Sequence, residues 1–265
     1  MTNNPDPRAH QRGIALPMAL WVAMALALLS AGIAATAGQA TRRQGSADQV
    51  AVARALLDTG ISLGTMLAVH PDATRRLAAD GRSVTLDEPE GSVTLTLWDE
   101  AGRMDLNRTP PDRILAVAAR LLPRDQAAAL SATLAQRRQA REPWHSVMEL
   151  GASLSPAAFA TLYPLLTVHA PAMGEGLVSL RAMPPALRTV WPGLDEGMAD
   201  PASLGLARSG LPSSLFTLRV TARTHQGAVA SAEAVLWITI QGTRAFRILE
   251  WREPAPALAG EGPRS

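Results

Sequence analysis

Cysteine and lysine are both absent from this 265-residue sequence, and tyrosine occurs once, at Tyr163. Without cysteine the chain has no disulfide bonds and no thiolate zinc sites. Aromatic residues make up only 4% of a sequence that is 47% hydrophobic. Alanine and leucine must therefore form most of the core, which favours a helix-rich fold.

Clustered positive charge is also scarce. The pI near 10.2 overstates the basic character, because the formal net charge is only +2. The pairs Arg42–Arg43 and Arg137–Arg138 are typical of solvated helix faces, and no dense basic block of the kind that binds nucleic acid is present. The sequence therefore predicts no nucleic-acid partner.

Catalytic motifs are missing as well. No H-E-x-x-H zinc motif, G-x-S-x-G elbow, Walker loop or dinucleotide fingerprint occurs. The carboxylates of Asp99, Asp105 and Glu149 could form an acid–base pair, but nothing in the sequence places them in a cleft. We predict that the protein is not an enzyme and has no small-molecule substrate. The five histidines are scattered: His10, His70, His145, His169 and His225.

A long apolar run is present near the N-terminus. No Asp, Glu or Arg occurs between Arg12 and Arg42, so the run can cross a hydrocarbon core of about 30 Å. It exceeds the roughly 7–15 apolar residues of a secretory signal. The small-x-small patterns at residues 35–37 and 38–40 leave a conventional cleaved signal peptide as the alternative.

The apolar run continues into a longer predicted helix. An irregular apolar stripe extends to His70-Pro71, where the proline ends it. Pro17 is tolerated because it falls in the first helical turn. We therefore predict one helix from Ile14 to about His70, which is apolar all round in its first half and amphipathic in its second.

Arg12-Gly13-Ile14, followed by "ALPMALWVAMALALL", resembles the class III signal of type IV prepilins and type II secretion pseudopilins. The resemblance implies that prepilin peptidase cleaves between Gly13 and Ile14 and leaves the apolar helix on the mature protein. The implied location is the inner membrane, with a single pass and the C-terminal domain in the periplasm.

Met18 departs from the pattern of that family. Most of its members have a glutamate five residues past the cut, and this carboxylate is thought to pair with the N-terminal amine of the subunit ahead. A carboxylate at the bilayer centre costs about 2.5–3.5 kcal/mol on insertion scales. A subunit at the tip has no neighbour ahead, so an apolar Met18 fits that place. The K-type minor pseudopilin typically lacks this glutamate.

The soluble part begins with a predicted β-hairpin. Alternating apolar and polar residues at 83–86 and 92–98 flank the turn sequence "DEPEG". The following string "WDEAGRMDLNRTPP" resembles a K-type signature turn that would include Asp99, Gly102, Asp105 and Asn107. The simpler interpretation is an ordinary hairpin exit.

From Pro111 to about His169 the pattern becomes helical. Asp112 is predicted to cap one helix, Pro123 and Asp125 to open a second, and two short helices to be capped near Ser146 and Ser155. The strings "SVMEL" and "LYPLLTV" resemble the helical domain, likened to sterile-alpha-motif folds, that K-type pseudopilins insert into the pilin sheet. A helix-hairpin-helix DNA-binding module is the alternative, although residues 151–155 contain one glycine and no charge.

The connector that follows, residues 170–211, is rich in Gly, Pro and Met, and Leu187 to Trp191 could form one helical turn. Asp195, Glu196 and Asp200 lie in a predicted loop, and calcium takes oxygen ligands from such loops. The resemblance to the K-type family also implies calcium. The spacing fits no EF-hand, and a solvated polar loop is the simpler interpretation. Calcium is thus the only cofactor that the sequence leaves open.

The chain ends in three alternating segments at residues 214–226, 228–241 and 244–253, which predict an antiparallel meander over the amphipathic half of the long helix. The predicted fold class is α+β, a pilin-like long helix on an antiparallel sheet with an inserted all-α domain. The predicted parts are a leader (1–13), the long helix (14–70, of which 14–40 spans the membrane), the first part of the sheet (71–110), the helical insertion (111–170), a connector (171–212), the terminal strands (213–253) and a flexible tail (254–265).

Taken together, the resemblance implies a K-type minor pseudopilin at the tip of the type II secretion pseudopilus. Its implied partners are the I-type and J-type minor pseudopilins, prepilin peptidase and the inner membrane. A membrane-anchored periplasmic binding module and a DNA-binding module of a competence-like system are the two alternatives.

Overall fold

The computed structural model describes residues 15–70, 72, 74–171, 177–194, 206–207, 214–238 and 246–254. The chain divides into two compact units, residues 1–51 and residues 52–265. Gly13 and Ile14 lie outside the described residues, and so does the side chain of Met18.

Helix α1 covers Ala15–Ala68. In the second unit its Leu56 and Leu57 pack in a core with strand residues of the sheet. Gly60 permits the close approach, because a Cβ there would lie 2.5 Å from side-chain carbons of both Val93 and Val220. A glycine inside a helix usually weakens it, but here its missing side chain lets the helix pack closely on the sheet.

The main sheet has five antiparallel strands in the order β1-β2-β7-β8-β9. These are β1 (Asp80–Glu88), β2 (Gly91–Asp99), β7 (Leu215–Thr224), β8 (Val229–Ile238) and β9 (Phe246–Arg252). Their alternation places one set of side chains against α1, including Leu95, Leu218 and Leu236. The predicted hairpin and meander are both present, and the predicted α+β fold class is confirmed.

The segment between β2 and β7 forms a second core. It contains β3 (Met104–Asp105), α2 (Pro111–Leu121), α3 (Arg124–Ala140), α4 (Pro156–Leu162), β4 (Leu166–Thr167), β5 (Val178–Ser179), α5 (Pro185–Val190) and β6 (Leu206–Ala207), with 3₁₀ turns at Glu100–Gly102, Val147–Ala152 and Tyr163–Leu165. The short pairs β3–β4 and β5–β6 are parallel.

Most predicted helix starts in this segment are correct. Ser146 and Ser155 cap their helices as expected, the first in a capping box with Glu149. Asp112 was expected to be a cap, and this prediction is wrong: Pro110 occupies the N-cap position and makes no side-chain hydrogen bond. Pro111 begins α2 because a proline suits the first helical position, which places Asp112 inside the first turn.

The described part of the connector, residues 177–194, contributes buried side chains that its composition does not indicate. Val178, Met183, Leu187 and Trp191 are buried in the same core as α2, α3 and α4. Their spacing follows no single period, which is why the sequence pattern of this segment predicts a linker. Together with the helices these residues form one packed core; we call the described residues between β2 and β7 that build it the insertion.

Among the described residues, the helical segment Ala47–Ala68 is long and apolar enough to cross a membrane, and 33% of it is buried inside the structure. Its buried Leu56 and Leu57 pack on the sheet, which accounts for that apolar character. Farther toward the N-terminus of α1, the side chains of Leu20 and Trp21 are 71% and 72% exposed.

Candidate functional site

The signature turn leaves strand β2 at Asp99. The side chain of Asp99 accepts a hydrogen bond from the backbone N–H of Ala101 at 2.9 Å and caps the 3₁₀ turn Glu100–Gly102. That turn is fully buried. Asp99 therefore serves to reverse the chain where the sheet ends and the insertion begins.

Gly102 is required by the close approach of two backbone segments. A Cβ at this position would lie 2.0 Å from the carbonyl oxygen of Ala182 and 2.8 Å from the backbone nitrogen of Met183. Backbone atoms cannot move aside as a flexible side chain can. The glycine thus allows the turn to lie directly against the connector segment that carries Met183 into the core of the insertion.

Asp105 is buried and closes the next part of the turn. Its Oδ1 accepts a hydrogen bond from the backbone N–H of Asn107 at 2.7 Å, and its Oδ2 accepts one from that of Ala170 at 3.1 Å. Burial raises the pKa of Asp105, although these two hydrogen bonds oppose the rise. The carboxylate therefore ties the start of the insertion to the chain that follows β4.

Asn107 forms a paired contact with the loop after α3. Its Nδ2 donates to the carbonyl oxygen of Trp144 at 2.9 Å, and its Oδ1 accepts from the backbone N–H of Trp144 at 2.7 Å. Trp144 is buried in the core of the insertion. The four predicted signature residues thus lie along one chain segment, and each has a structural role there.

Charged side chains fill the layer between the sheet and the insertion. We call this cluster the polar junction; it consists of Glu100, Arg103, Tyr163, Thr217, Arg219, Glu233 and Arg252. Glu100 is completely buried and accepts hydrogen bonds from Arg103 at 2.9 Å and from Thr217 at 2.6 Å. Thr167 of β4 donates to the same carboxylate.

Arg103 extends the junction into the insertion. Its Nη2 donates to the carbonyl oxygen of Tyr163 at 2.7 Å, and its guanidinium lies 5.8 Å from the ring centre of Trp98. Nε of Arg103 is the one buried side-chain nitrogen or oxygen among the described residues that lacks a hydrogen-bond partner. Arg103 thus joins the end of the sheet to the 3₁₀ turn after α4.

Glu233 forms the centre of the second half of the junction. Arg219 Nη2 lies 3.1 Å from Oε2 of Glu233, and Arg252 Nη1 lies 2.8 Å from Oε1. Tyr163 donates its hydroxyl hydrogen bond to the same carboxylate. Burial and the neighbouring Glu233 charge raise the pKa of Tyr163 well above its ordinary value, so this hydroxyl stays protonated.

Glu250 and His169 lie at the edge of the junction, where both are about one-quarter exposed. Nε2 of His169 is 3.0 Å from Oε2 of Glu250, and Arg252 Nη2 is 2.5 Å from Oε1. Burial works to raise the pKa of Glu250, but the hydrogen bond from His169 and the charge of Arg252 outweigh it. The pKa of Glu250 is therefore lowered.

The charges of the junction and its edge balance. Arg103, Arg219 and Arg252 face Glu100, Glu233 and Glu250 in ion pairs or shared hydrogen bonds. Each carboxylate is engaged by arginine, so the arrangement offers no free base for chemistry. Buried pairs of this kind contribute little net stability but strongly penalise any arrangement that separates them. The junction therefore holds the insertion in one orientation on the sheet.

Sequence reasoning singles out the turn residues Asp99, Gly102, Asp105 and Asn107, whose role as a family signature stays a prediction, but it misses Arg219, Glu233 and Arg252. These three alternate with apolar residues in their strands, and that pattern is the usual sign of a solvent-facing side. The available signal was the opposite charges at cross-strand positions. Arg219 lies opposite Glu233, and Glu233 lies opposite Arg252.

Metal ligands do not come together in the described part of the chain, where no group of three or more His, Asp or Glu residues could hold an ion. Asp195, Glu196 and Asp200, the residues considered for calcium, lie outside the described residues.

This chain is similar to a chain in the crystal structure of the GspK–GspI–GspJ complex from the enterotoxigenic Escherichia coli type 2 secretion system. The match has 16% sequence identity and a TM-score of 0.47, and it covers 81% of this chain and 99% of the matched chain. No family model and no curated protein matches the sequence.

Proposed function

We propose that this chain is a K-type minor pseudopilin of the type II secretion system, which caps the tip of the pseudopilus and helps to initiate its assembly. Its role is structural rather than enzymatic. Its assembly partners are the I-type and J-type minor pseudopilins, and its anchor is the inner membrane, with residues after the span in the periplasm.

The observation that carries the proposal is α1 itself. One unbroken helix runs from Ala15 to Ala68, and its last third is built into the core of a soluble α+β unit. Near its start, large apolar side chains such as Leu20 and Trp21 are more than two-thirds exposed. Lipid or neighbouring helices would remove this surface from water.

The insertion supports the tip position. It covers the sheet on the face opposite to α1, and the polar junction fixes its orientation there. A subunit with such a broad head can join neighbours through its helix while opposing a further subunit above it. Met18 is consistent with this place, because a tip subunit has no neighbouring amine for a buried carboxylate to pair with.

The decisive experiment is N-terminal sequencing of the mature protein from a strain that contains prepilin peptidase. We expect the mature chain to begin at Ile14 with the apolar helix retained. In Gly13→Leu the leader should remain, which intact-mass measurement detects. A mature chain that begins near Thr41 would show a conventional signal peptide and would exclude the pseudopilin assignment.

The tip position has its own test. Met18→Glu and Met18→Leu are compared for secretion in a strain that lacks the wild-type chain. We expect the glutamate variant to secrete less, because its carboxylate stays unpaired, whereas leucine conserves the apolar character. Equal secretion from the two variants would count against the tip position but not against the membrane anchor.

A further inference from the structure

A cleft of about 420 Å³ separates the beginning of β1 from the insertion. This volume is within the range of about 300–1,000 Å³ that is typical of binding sites. One wall consists of Asp80, Gly81 and Arg82, and Trp98 lies beside them. The opposite wall is mostly apolar and rich in proline: Leu121, Ala160, Thr161, Pro164, Leu165, Pro184, Pro185 and Ala186.

Trp98 gives this cleft a hydrogen-bond donor. The residue is 4% exposed and lines the cleft; its Nε1 makes no hydrogen bond within the described part of the chain but is not one of the fully buried nitrogens there. The nitrogen edge of the indole faces Gly81, where an added Cβ would lie 2.4 Å from Nε1. An indole N–H beside an apolar cleft can donate to a hydrogen-bond acceptor of a bound ligand. A peptide carbonyl oxygen is one such acceptor.

The outer edge of β1 continues from the cleft. Within the described chain β1 pairs only with β2, so its other side presents unpaired backbone N–H and C=O groups. A bulge between Asp80 and Ser83 interrupts the regular pairing beside the cleft. An open edge of this type accepts an extended peptide as an additional strand.

The two ends of this edge differ in charge. At the cleft end Arg82 and Asp80 pair with each other, with Nε 3.0 Å from Oδ2, so this end is electrically balanced. At the other end lie Asp87, Glu88 and Glu90, whose carboxylates form no ion pair within the described chain. The two ends of the nine-residue strand β1 lie about 26 Å apart.

We infer that the β1 edge and its cleft form a recognition site for an extended segment of another polypeptide, with an apolar residue at one end and basic residues at the other. The apolar residue enters the cleft, where a carbonyl beside it accepts the hydrogen bond of Trp98. The basic residues meet Asp87 and Glu90. This site is additional to the proposed assembly role and does not depend on it.

The test uses the full chain in lipid nanodiscs and a fluorescent nine-residue peptide with blocked termini. The peptide carries leucine at one end, alternating threonine and valine in the middle and two arginines at the other end. It is made in both chain directions, with a scrambled peptide as the reference and empty nanodiscs as the background. We expect one direction to bind at least about tenfold more tightly than the scrambled peptide.

Ala186→Trp fills the cleft at an exposed position, and we expect it to reduce the affinity about tenfold or more. Ala135→Trp is the matched control, since Ala135 is an exposed helical alanine outside the cleft. Circular dichroism establishes that both variants are folded. Equal affinities for Ala186→Trp and Ala135→Trp would overturn the inference.

A second test changes the charges at the other end of the β1 edge and leaves the cleft unaltered. Asp87→Asn combined with Glu90→Gln should weaken binding about threefold to tenfold and make it less sensitive to salt. Asp125→Asn combined with Glu142→Gln, which removes two exposed charges from the insertion, should leave it unchanged. The inference fails if neither peptide direction binds more tightly than the scrambled peptide. It also fails if the cleft binds a small apolar dye that the peptide does not displace.

Discussion

The two faces of the sheet are built on opposite principles. Toward α1, the buried side chains of the described strands in this core are apolar, and a glycine of the helix meets two valines of the sheet. Toward the insertion, the same strands present Thr217, Arg219 and Glu233, all of them buried. Both layers exclude water, but one does so with apolar contacts and the other with paired charges.

The apolar contacts and the paired charges therefore have different roles: the former hold two layers together, and the latter fix the orientation of one layer on the other. Apolar burial stabilises any arrangement that removes surface from water, because it is not directional. Paired charges and hydrogen bonds stabilise only the arrangement in which each partner is in place. The α1 face therefore contributes stability without fixing one orientation, and the polar junction determines how the insertion lies on the sheet.

Glu233→Gln is the variant with the largest expected effect, and it tests whether the polar junction is a coupled unit. The variant leaves Arg219 buried without its counter-charge, which is expected to cost about 3–5 kcal/mol of unfolding free energy. Urea unfolding of the full chain measures the loss. Glu253→Gln, in an exposed pair with Arg54, is the control and should cost less than about 1 kcal/mol. Equal effects of the two variants would mean that the junction is not a coupled unit.

Leu95→Ala probes the apolar face. Leu95 is fully buried between α1 and the sheet, and removing its side chain should cost about 2–5 kcal/mol. Limited proteolysis should still find the insertion protected, because its contacts with the polar face are intact. Release of the insertion in this variant would contradict the division of roles.

Asn107→Ala removes both hydrogen bonds to the backbone of Trp144 and is expected to cost about 2 kcal/mol. Asn107→Asp keeps the acceptor for the Trp144 N–H but places a carboxylate oxygen against the Trp144 carbonyl oxygen, so it should be at least as destabilising as Asn107→Ala in the same unfolding measurement. If the aspartate variant kept most of the wild-type stability, the paired geometry would not be the reason.

The smallest expected effect is a pH dependence from Glu250. Because its pKa is lower in the folded than in the unfolded state, its contribution is complete above about pH 4.3, the unfolded value. It is lost as the pH falls through the folded value. Below pH 4.3 the wild type should lose more stability than Glu250→Gln, while at pH 7 the variant is slightly less stable. An equal difference in unfolding free energy between the wild type and Glu250→Gln at pH 3 and at pH 7 would exclude this role.

The sequence alone determined the local elements. Apolar alternation predicted the strands of the sheet, and proline and serine placed the ends of α2, α3 and α4 within one or two residues, because these signals act within a single turn. The apolar run and Gly13 indicated the membrane helix and its processing, which remain predictions. Asp112 failed as a cap because the nearby proline occupied the first helical position.

The tertiary structure decided which polar residues are buried. Arg219, Glu233 and Arg252 have the alternating pattern of a solvent-facing strand side, and they are covered only because the insertion folds back onto that side. Their partners are distant in sequence, as when Tyr163 contacts Glu233. The connector residues Met183 and Trp191 enter the core in the same way. Periodicity reports which side of an element is apolar, and it cannot report what a distant segment will place on the other side.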